Sequence, residues 1–159
     1  MSQTNELEIM ERIALDLEHV EESLASSFNT GAEDFNALIR PLSAAGGKRL
    51  RAQLCLLIAN AGTSIERQRI KIAEAVEMLH LATLIHDDVL DQAEIRRGED
   101  TIHMHKGNKV AILSGDYLFA KAFKIVSEMT NMKYLQVFSH IITCLVEGEF
   151  MQMEDVYRI

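Results

Sequence analysis

The 159-residue sequence has one proline, eight glycines, two cysteines and no tryptophan. Proline and glycine punctuate local structure most strongly, so their scarcity favours an all-helical chain. No apolar run approaches the roughly 20 residues of a membrane-spanning helix, and the acidic start lacks the features of a secretory signal. Cys55 and Cys144 both lie in apolar stretches. We therefore expect two buried thiols in a reducing compartment, the cytoplasm, with at most peripheral membrane contact.

Basic side chains are also scarce: 16 lysines and arginines stand against 24 aspartates and glutamates, for a net charge of −8. A surface of that sign repels nucleic acid, which we exclude as a partner. It also repels phosphorylated small molecules. Any anionic ligand must therefore be held by a local basic cluster or through metal ions.

Apolar residues recur at helical spacing along the chain, with few turn signals between them. This pattern predicts about six helices packed as a bundle, in a single domain over residues 1–159. The predicted helices cover residues 5–26, 32–42 (interrupted by Pro41), 48–61, 66–92, 109–129 and 131 to the C-terminus. Ser64 is a plausible N-cap. The polar segment 93–106 predicts a loop or broken helix, and no window alternates for long enough to predict a strand.

Three aspartates lie near the end of the fourth predicted helix, residues 66–92. Asp87 and Asp91 are one turn apart on one face, which continues back through Thr83 to His80, and Asp88 lies about 100° round the helix. Carboxylates in such a setting are costly unless a cation meets them, and oxygen ligands at this spacing suit Mg²⁺. The alternative is a solvent-exposed acidic helix end.

Two basic clusters stand out on this acidic chain. The segment GGKRLR at residues 46–51 places three cations at the predicted start of a helix, and two glycines there let the backbone approach a ligand. Arg96 and Arg97 follow the aspartates. Arginine and lysine at such places suit diphosphate oxygens. The alternatives are a solvated turn for the first cluster and a helix end balancing its dipole for the second.

The sequence strongly resembles the trans-isoprenyl diphosphate synthases (polyprenyl synthetases). The resemblance rests on GGKRLR at residues 46–51, EMLHLATLIHDDVLDQAEIRRG at 77–98, GDYLFAKAF at 115–123 and EGEFMQ at 147–152. It covers essentially the whole chain and is nearest to the medium- and long-chain synthases, including the catalytic component of heptaprenyl diphosphate synthase. It implies the isoprenoid synthase helical bundle, of which this chain is expected to be the N-terminal half, without the second aspartate-rich motif.

The resemblance also implies a role for each matching residue. Mg²⁺ bound by Asp87 and Asp91, with Asp88 nearby, carries the allylic diphosphate, which Arg96 contacts. Isopentenyl diphosphate is held by four residues: Lys48, Arg51, His80 and Arg97. In the family's reaction the allylic diphosphate leaves, the double bond of isopentenyl diphosphate attacks the resulting carbocation, and a proton is lost.

Product length is predicted from the helix before the aspartates. Thr83 lies one turn before Asp87 and Leu79 a further turn away, with Ala82 beside Thr83. Aromatic residues there would end the tunnel early, as in short-chain members. Small residues predict a product longer than geranylgeranyl, whereas close helix packing is the alternative explanation. Ala52 and Asp100 stand where the family usually has proline.

Half a bundle exposes apolar stripes on its last two helices, so we expect a homodimer or a higher oligomer. Two other functions stay open. The chain can be a non-catalytic or assembly subunit of a two-component synthase, although its intact DDxxD motif and basic clusters count against this. An isoprenoid cyclase would share the architecture but would not need the isopentenyl-binding set.

Overall fold

The computed structural model describes residues 3–28, 33–44, 47–62 and 66–156. These ranges form seven helices and one short antiparallel hairpin. The helices are α1 (Gln3–Ser27), α2 (Glu33–Ala44), α3 (Leu50–Ala61), α4 (Glu66–Leu90), α5 (Ile102–Lys106), α6 (Asn108–Ser127) and α7 (Met132–Val156). The strands β1 (Ile95–Arg96) and β2 (Glu99–Asp100) lie between α4 and α5. The all-α prediction is confirmed.

Helix α4 lies at the centre of the fold, in contact with α1, α3 and α6. Its inner positions carry small and medium apolar side chains, which allow its neighbours to approach closely. The α4 residues in the core are Ala73, Ala75, Met78, Leu79, Leu81, Ala82 and Ile85. Because α4 also carries the aspartates and His80, the core holds these candidate residues in place.

The prediction that Pro41 interrupts the second helix is wrong, because α2 continues through it to Ala44. A proline lacks the N–H that a helix would bond to the carbonyl four residues earlier, but only three residues of α2 follow it. Two contacts hold the helix in place. Ile39 is fully buried, and the rings of Phe35 and Tyr117 meet edge to face with centroids 4.8 Å apart.

The expectation of no strand is also wrong, since segment 93–106 contains the hairpin and α5. Ile95 pairs with Asp100, and Arg96 pairs with Glu99. The two loop residues both have positive φ, 54° at Arg97 and 87° at Gly98, as in a type I′ turn. Strands of two residues are too short to produce a detectable alternation.

The predicted helix ends agree with the structure to within two residues, those of α2 included, while the end predicted for the last helix lies outside the described residues. Asn131 caps α7 as expected, because its side-chain Oδ1 accepts the N–H of Lys133 at 3.0 Å. The suggested cap Ser64 lies outside the described residues. Helix α3 begins at Leu50 rather than at residue 48, because Arg49 has a left-handed backbone with φ 46°.

The prediction of two buried cysteines is wrong for Cys144, which is exposed, while Cys55 is half-buried. Cys144 lies on α7, where Phe138 alone is buried among the side chains that the structure describes. Tyr134, Leu135 and Ile142 are partly buried against the core. Much of the remaining surface of α7 is uncovered and keeps several large apolar residues in solvent, among them Val137, Ile141, Leu145, Val146, Phe150 and Met151. No helix within the described ranges has the length and hydropathy to cross a membrane.

Candidate functional site

The acidic end of α4 is closed by a Schellman motif. The N–H of Ala93 donates to the carbonyl of Asp88 at 2.9 Å, and that of Gln92 donates to Val89 at 3.4 Å. Gln92 has a φ of 52°, the left-handed conformation this motif requires. The motif reverses the chain direction, so that the residues after α4 return to its last turn.

Asp87 lies on this last turn and Asp91 directly follows the last residue of α4; the N–H of Asp91 donates to the carbonyl of Asp87 at 2.8 Å. Partial burial raises the pKa of Asp87, and the negative charges of Glu149, Asp91 and Asp88 raise it further. The negative end of the helix dipole also lies here. All of these effects oppose carboxylate charge, and a bound cation would relieve them.

Asp88 points to a different partner. Its Oδ1 accepts a hydrogen bond from Nε of Arg96 at 2.6 Å, and the Asp88 side chain is only 8% exposed. Arg96 reaches it from strand β1, so the hairpin is tied to the end of α4. The ion pair places a guanidinium beside the acidic face, and it uses only the Nε of that guanidinium.

The basic loop before α3 presents its cations in two directions. Lys48 and Arg51 are exposed, whereas Arg49 turns inward and is buried. The guanidinium of Arg49 binds Glu21 of α1 and lies 3.6 Å from Glu77 of α4. Of the three cations expected at this helix start, two therefore remain available to a ligand.

His80 lies where the two basic clusters meet. Burial lowers its pKa, and the positive charges of Arg51, Arg97 and Arg96 lower it further, against an opposing effect of Glu77. Arg51 from one basic cluster and Arg96 and Arg97 from the other thus act on the same half-buried imidazole. The side chain is neutral near pH 7, since its ordinary pKa is already about 6.5.

Gly47 and Arg97 show how closely the two clusters approach. A Cβ on Gly47 would lie 3.3 Å from Nη2 of Arg97. The missing side chain therefore leaves room for the guanidinium against the loop backbone. Arg97 itself has a left-handed φ of 54° in the hairpin turn. Gly46 lies outside the described residues.

A cavity of about 740 Å³ opens beside these groups, between α2, the end of α4, the hairpin and α5. Its polar side is formed by Asp88, Arg96, Arg97, Glu99, Asp100, Thr101 and His105. Its apolar side is formed by Ala37, Leu38, Pro41, Leu81, Leu84, Ile85 and Ile102. The volume falls within the range of small-molecule sites. An apolar wall next to paired charges suits an amphipathic ligand.

The residues expected to set product length differ in exposure. Leu79 and Ala82 are buried in the core, and Ala82 is fully inaccessible. Thr83 is half-buried, and its hydroxyl donates to the carbonyl of His80 at 2.8 Å. The burial of Ala82 fits the alternative of close packing, and Thr83 is the most accessible of the three side chains.

The carboxylates of Asp87 and Asp91 are the candidate ligands for a metal ion. Among the described residues, no three histidines, cysteines, aspartates or glutamates converge as a closed metal site. Asp87 and Asp91 still fit this ion, since Mg²⁺ is commonly held by one or two carboxylates with water and substrate phosphates as its other ligands.

Three residues near the site were not predicted from the sequence. Glu149 lies in the EGEFMQ segment, but nothing in its spacing linked it to Asp87. Arg49 and Glu77 both lie inside quoted motifs, where they read as a further surface cation and a helix-face acid. Only the fold shows that the two lie close together.

Of the two departures from the expected proline pattern, only that at Ala52 has a local explanation. Ala52 uses the N–H that proline lacks, because it donates to Oε1 of Glu77 at 3.0 Å. Asp100 pairs in strand β2, and its carboxylate lies 3.8 Å from Nε2 of His105.

The chain matches the family described as Polyprenyl synthetase over residues 32–158. It is 32% identical over 148 residues to octaprenyl diphosphate synthase of Escherichia coli, covering 93% of this chain and 46% of that protein. It is 38% identical to heptaprenyl diphosphate synthase component 2 of Geobacillus stearothermophilus, covering 90% of this chain and 45% of that protein. The chain thus spans less than half the length of these relatives.

Solved structures agree with the fold. A polyprenyl synthase of Caulobacter crescentus, complexed with calcium and isoprenyl diphosphate, superposes with a TM-score of 0.85 at 35% identity, covering 91% of this chain and 44% of that chain. A geranylgeranyl pyrophosphate synthase of Lactobacillus brevis also gives 0.85, at 31% identity, with 90% and 45% covered. Similar folds therefore accompany different product lengths.

Proposed function

The chain belongs to the polyprenyl synthetase family, and we propose that it supplies the metal- and diphosphate-binding half of a trans-prenyltransferase. This enzyme joins isopentenyl diphosphate units to an allylic diphosphate. The observation that carries the proposal is the close approach of the basic loop to the hairpin, where a Cβ on Gly47 would lie 3.3 Å from Nη2 of Arg97. His80 lies within the field of both clusters, because Arg51, Arg97 and Arg96 lower its pKa. On a chain of net charge −8, such a concentration of cations favours a diphosphate ligand.

The allylic diphosphate binds at the acidic end of α4 through Mg²⁺ held by Asp87 and Asp91. When bound, the metal supplies Lewis-acid stabilisation of the departing diphosphate. Arg96 adds a positive charge to the same leaving group. Asp88 holds this guanidinium in place at 2.6 Å, and the proposal that Asp88 also contacts metal rests on the resemblance alone.

Isopentenyl diphosphate binds between the basic loop and the hairpin. Lys48 and Arg51 approach from the loop, and Arg97 from the turn after β1. His80 contributes a neutral imidazole, which can donate a hydrogen bond to a phosphate oxygen without adding charge. Binding of the anion offsets the field of the arginines, so the pKa of His80 rises when the site is filled.

The reaction requires the C–O bond of the allylic diphosphate to break and a C–C bond to form with the double bond of isopentenyl diphosphate. A proton is then lost from the adduct. The residues of this chain bind and orient two diphosphates and surround the charge that develops on the leaving group. Apolar walls exclude water, which would otherwise capture the carbocation.

The product is proposed to be longer than geranylgeranyl, of about 30 carbons or more. The support is the small side chain of Thr83, one turn before Asp87, and the absence of aromatic residues at Leu79 and Ala82. The polyprenyl synthase and the geranylgeranyl pyrophosphate synthase superpose equally well on this chain. The fold therefore does not indicate product length, and the proposal rests on the side chains of this helix face.

A subunit role is the second candidate, and the match to a protein named component 2 favours it. In that case the chain works with another polypeptide. We also propose that the chain forms a homodimer or a higher oligomer and that it is located in the cytoplasm.

The test is a turnover assay of the purified chain with farnesyl diphosphate, labelled isopentenyl diphosphate and Mg²⁺, followed by sizing of the products. Binding of labelled isopentenyl diphosphate is measured in parallel. We expect binding that weakens in Lys48→Gln and Arg51→Gln, with Arg67→Gln as a control at the far end of α4. Products that stop at geranylgeranyl would contradict the proposed length. Failure to bind isopentenyl diphosphate would contradict the proposed site.

A further inference from the structure

A buried charge network connects the basic loop to two other helices. Arg49 donates from Nε to Oε1 of Glu21 at 2.5 Å and from Nη2 to Oε2 at 3.0 Å. Its Nη1 lies 3.6 Å from Oε2 of Glu77. The side chains of Arg49 and Glu77 are 7% and 4% exposed. The loop is therefore tied to α1 by a two-armed bond and to α4 by a second ion pair.

Glu77 makes a further contact that reaches α3. Its Oε1 accepts the N–H of Ala52, the third residue of that helix, at 3.0 Å. First-turn amides have no partner within their own helix, so this carboxylate caps α3 from outside. Glu77 also lies one turn before His80 on α4. One carboxylate thus sets the start of α3 relative to the helix that carries His80.

The backbone of Arg49 shows that the surroundings hold the loop in an uncommon conformation. Its φ of 46° and ψ of 37° are left-handed, which a long side chain adopts only where other contacts over-determine it. Lys48 precedes this residue and Arg51 follows two positions later. The direction in which both exposed cations point therefore depends on the conformation of Arg49.

We propose that Arg49 and Glu77 are positioning residues for diphosphate binding: the Glu21–Arg49–Glu77 network fixes the direction of Lys48 in the loop and of Arg51 in the first turn of α3. This inference rests on the proposed function, in which Lys48 and Arg51 contact the diphosphate. Arg49 itself is buried and paired with Glu21 and Glu77. Its part is to keep the loop in the conformation in which the two neighbouring cations converge.

The chain offers a matched control for the network. Arg69 of α4 donates to Asp16 of α1 with the same two-armed geometry, at 2.6 and 3.0 Å, and its side chain is 9% exposed. It lies 11 residues before His80 on α4, which is about 16 Å along the helix axis. Its loss should destabilise the fold in a similar way without disturbing the loop.

The experiment compares the wild-type chain with Arg49→Lys and Arg69→Lys. Both substitutions keep the positive charge and remove the planar two-armed fork, which lysine cannot reproduce. The affinity for inorganic diphosphate is measured by calorimetry, and the titration midpoint of His80 is followed by NMR without ligand. We expect Arg49→Lys to weaken diphosphate binding about tenfold, since misplacement by about 1 Å can cost up to ~100-fold in such sites.

The NMR readout separates a displaced loop from a general loss of stability. If Arg51 moves away from His80, the imidazole midpoint rises in Arg49→Lys and stays at the wild-type value in Arg69→Lys. Equal affinities and equal midpoints in the two variants would overturn the proposal. If Arg49→Lys does not fold, Glu21→Gln provides the same test, because the Glu21 side chain is 44% exposed and tolerates change.

Failure of the proposed function gives a different result. A wild-type chain that does not bind diphosphate would contradict the proposed anion site. The His80 midpoints would still decide whether the network positions the loop, because that measurement needs no ligand.

Discussion

At the residue scale, Gly115 of α6 packs directly against the ring of His86 of α4. A Cβ on Gly115 would lie 2.2 Å from Nε2 of His86. That same nitrogen lies 3.0 Å from the carbonyl oxygen of Ile112, to which it can donate a hydrogen bond. Because His86 directly precedes Asp87, this notch in α6 helps to set the position of the acidic face.

We predict that Gly115→Ala destabilises the fold by about 1–3 kcal/mol, since overpacking outweighs the better helix propensity of alanine. Gly148→Ala is the control. Gly148 lies within α7, where a Cβ would meet nothing within 4 Å, so this change should stabilise by about 0.5–1 kcal/mol. Denaturant unfolding measures both. Equal effects of the two substitutions would contradict the proposed notch.

The pKa of His80 provides a second prediction at this scale. Burial and three arginines lower it, so folding disfavours the protonated form. Its contribution to the free energy of unfolding is therefore complete above the unfolded value near 6.5 and is lost as the pH falls towards and through the folded pKa. NMR titration should give a midpoint below 6.5 that rises in Arg51→Gln. A midpoint unchanged in Arg51→Gln would show that this arginine does not act on His80.

At the element scale, the end of α4 controls how the hairpin returns to the site. Gln92 occupies the left-handed position of the Schellman motif, where glycine is the preferred residue. We predict that Gln92→Gly stabilises the fold by roughly 1 kcal/mol, because it removes the cost of a Cβ in this conformation. Gln136→Gly, in the exposed interior of α7, should destabilise by about 1 kcal/mol. Thermal unfolding of the pair tests the assignment of this helix end.

The contrast between elements shows what the sequence could predict. Long helices such as α4 and α6 were predicted because many apolar residues repeat at helical spacing. The sequence does not predict the hairpin, because strands of two residues show no periodicity. It predicts an interruption of α2 at Pro41, because the packing of Ile39 and Phe35 that holds this helix is not visible in the sequence. Such contacts between distant segments hold an element together without leaving a local signal.

The candidate site shows the same division. The acidic stripe on α4 and both basic clusters were visible as motifs, and the effect of the arginines on His80 fits their predicted convergence. The inward turn of Arg49 and the approach of Glu149 to Asp87 were not visible. Both depend on which residue of one helix meets which residue of another, and this is decided by tertiary packing.

At the scale of the whole molecule, the uncovered apolar surface lies on α6 and α7. The prediction that the last two helices expose apolar stripes is confirmed only in part. Most of their large apolar residues are at least partly exposed, but Leu118 and Phe138 are buried. The exposed large apolar residues of these helices include Ile112, Leu113, Ile141, Leu145, Val146 and Phe150. Contiguous apolar surface of this kind favours association.

We predict that the chain sediments as a dimer or a larger oligomer at micromolar concentration. Substituting Leu145 and Phe150 with glutamine should shift it towards monomer without lowering helicity, because both side chains are exposed. The same pair of substitutions at exposed Leu7 and Met10 of α1 is the control. A monomeric wild-type chain would contradict the prediction.

The proposed function requires that α4 end in a magnesium-dependent diphosphate site. The most direct test is calorimetric titration of the chain with a non-reactive thio analogue of farnesyl diphosphate, with and without Mg²⁺. We predict that binding requires Mg²⁺ and falls at least about tenfold in Asp87→Asn and Asp91→Asn, because each removes a carboxylate from the metal. Asp155→Asn, near the end of α7, should bind as the wild type does. Equal binding with and without Mg²⁺, or no effect of Asp87→Asn and Asp91→Asn, would contradict the claim.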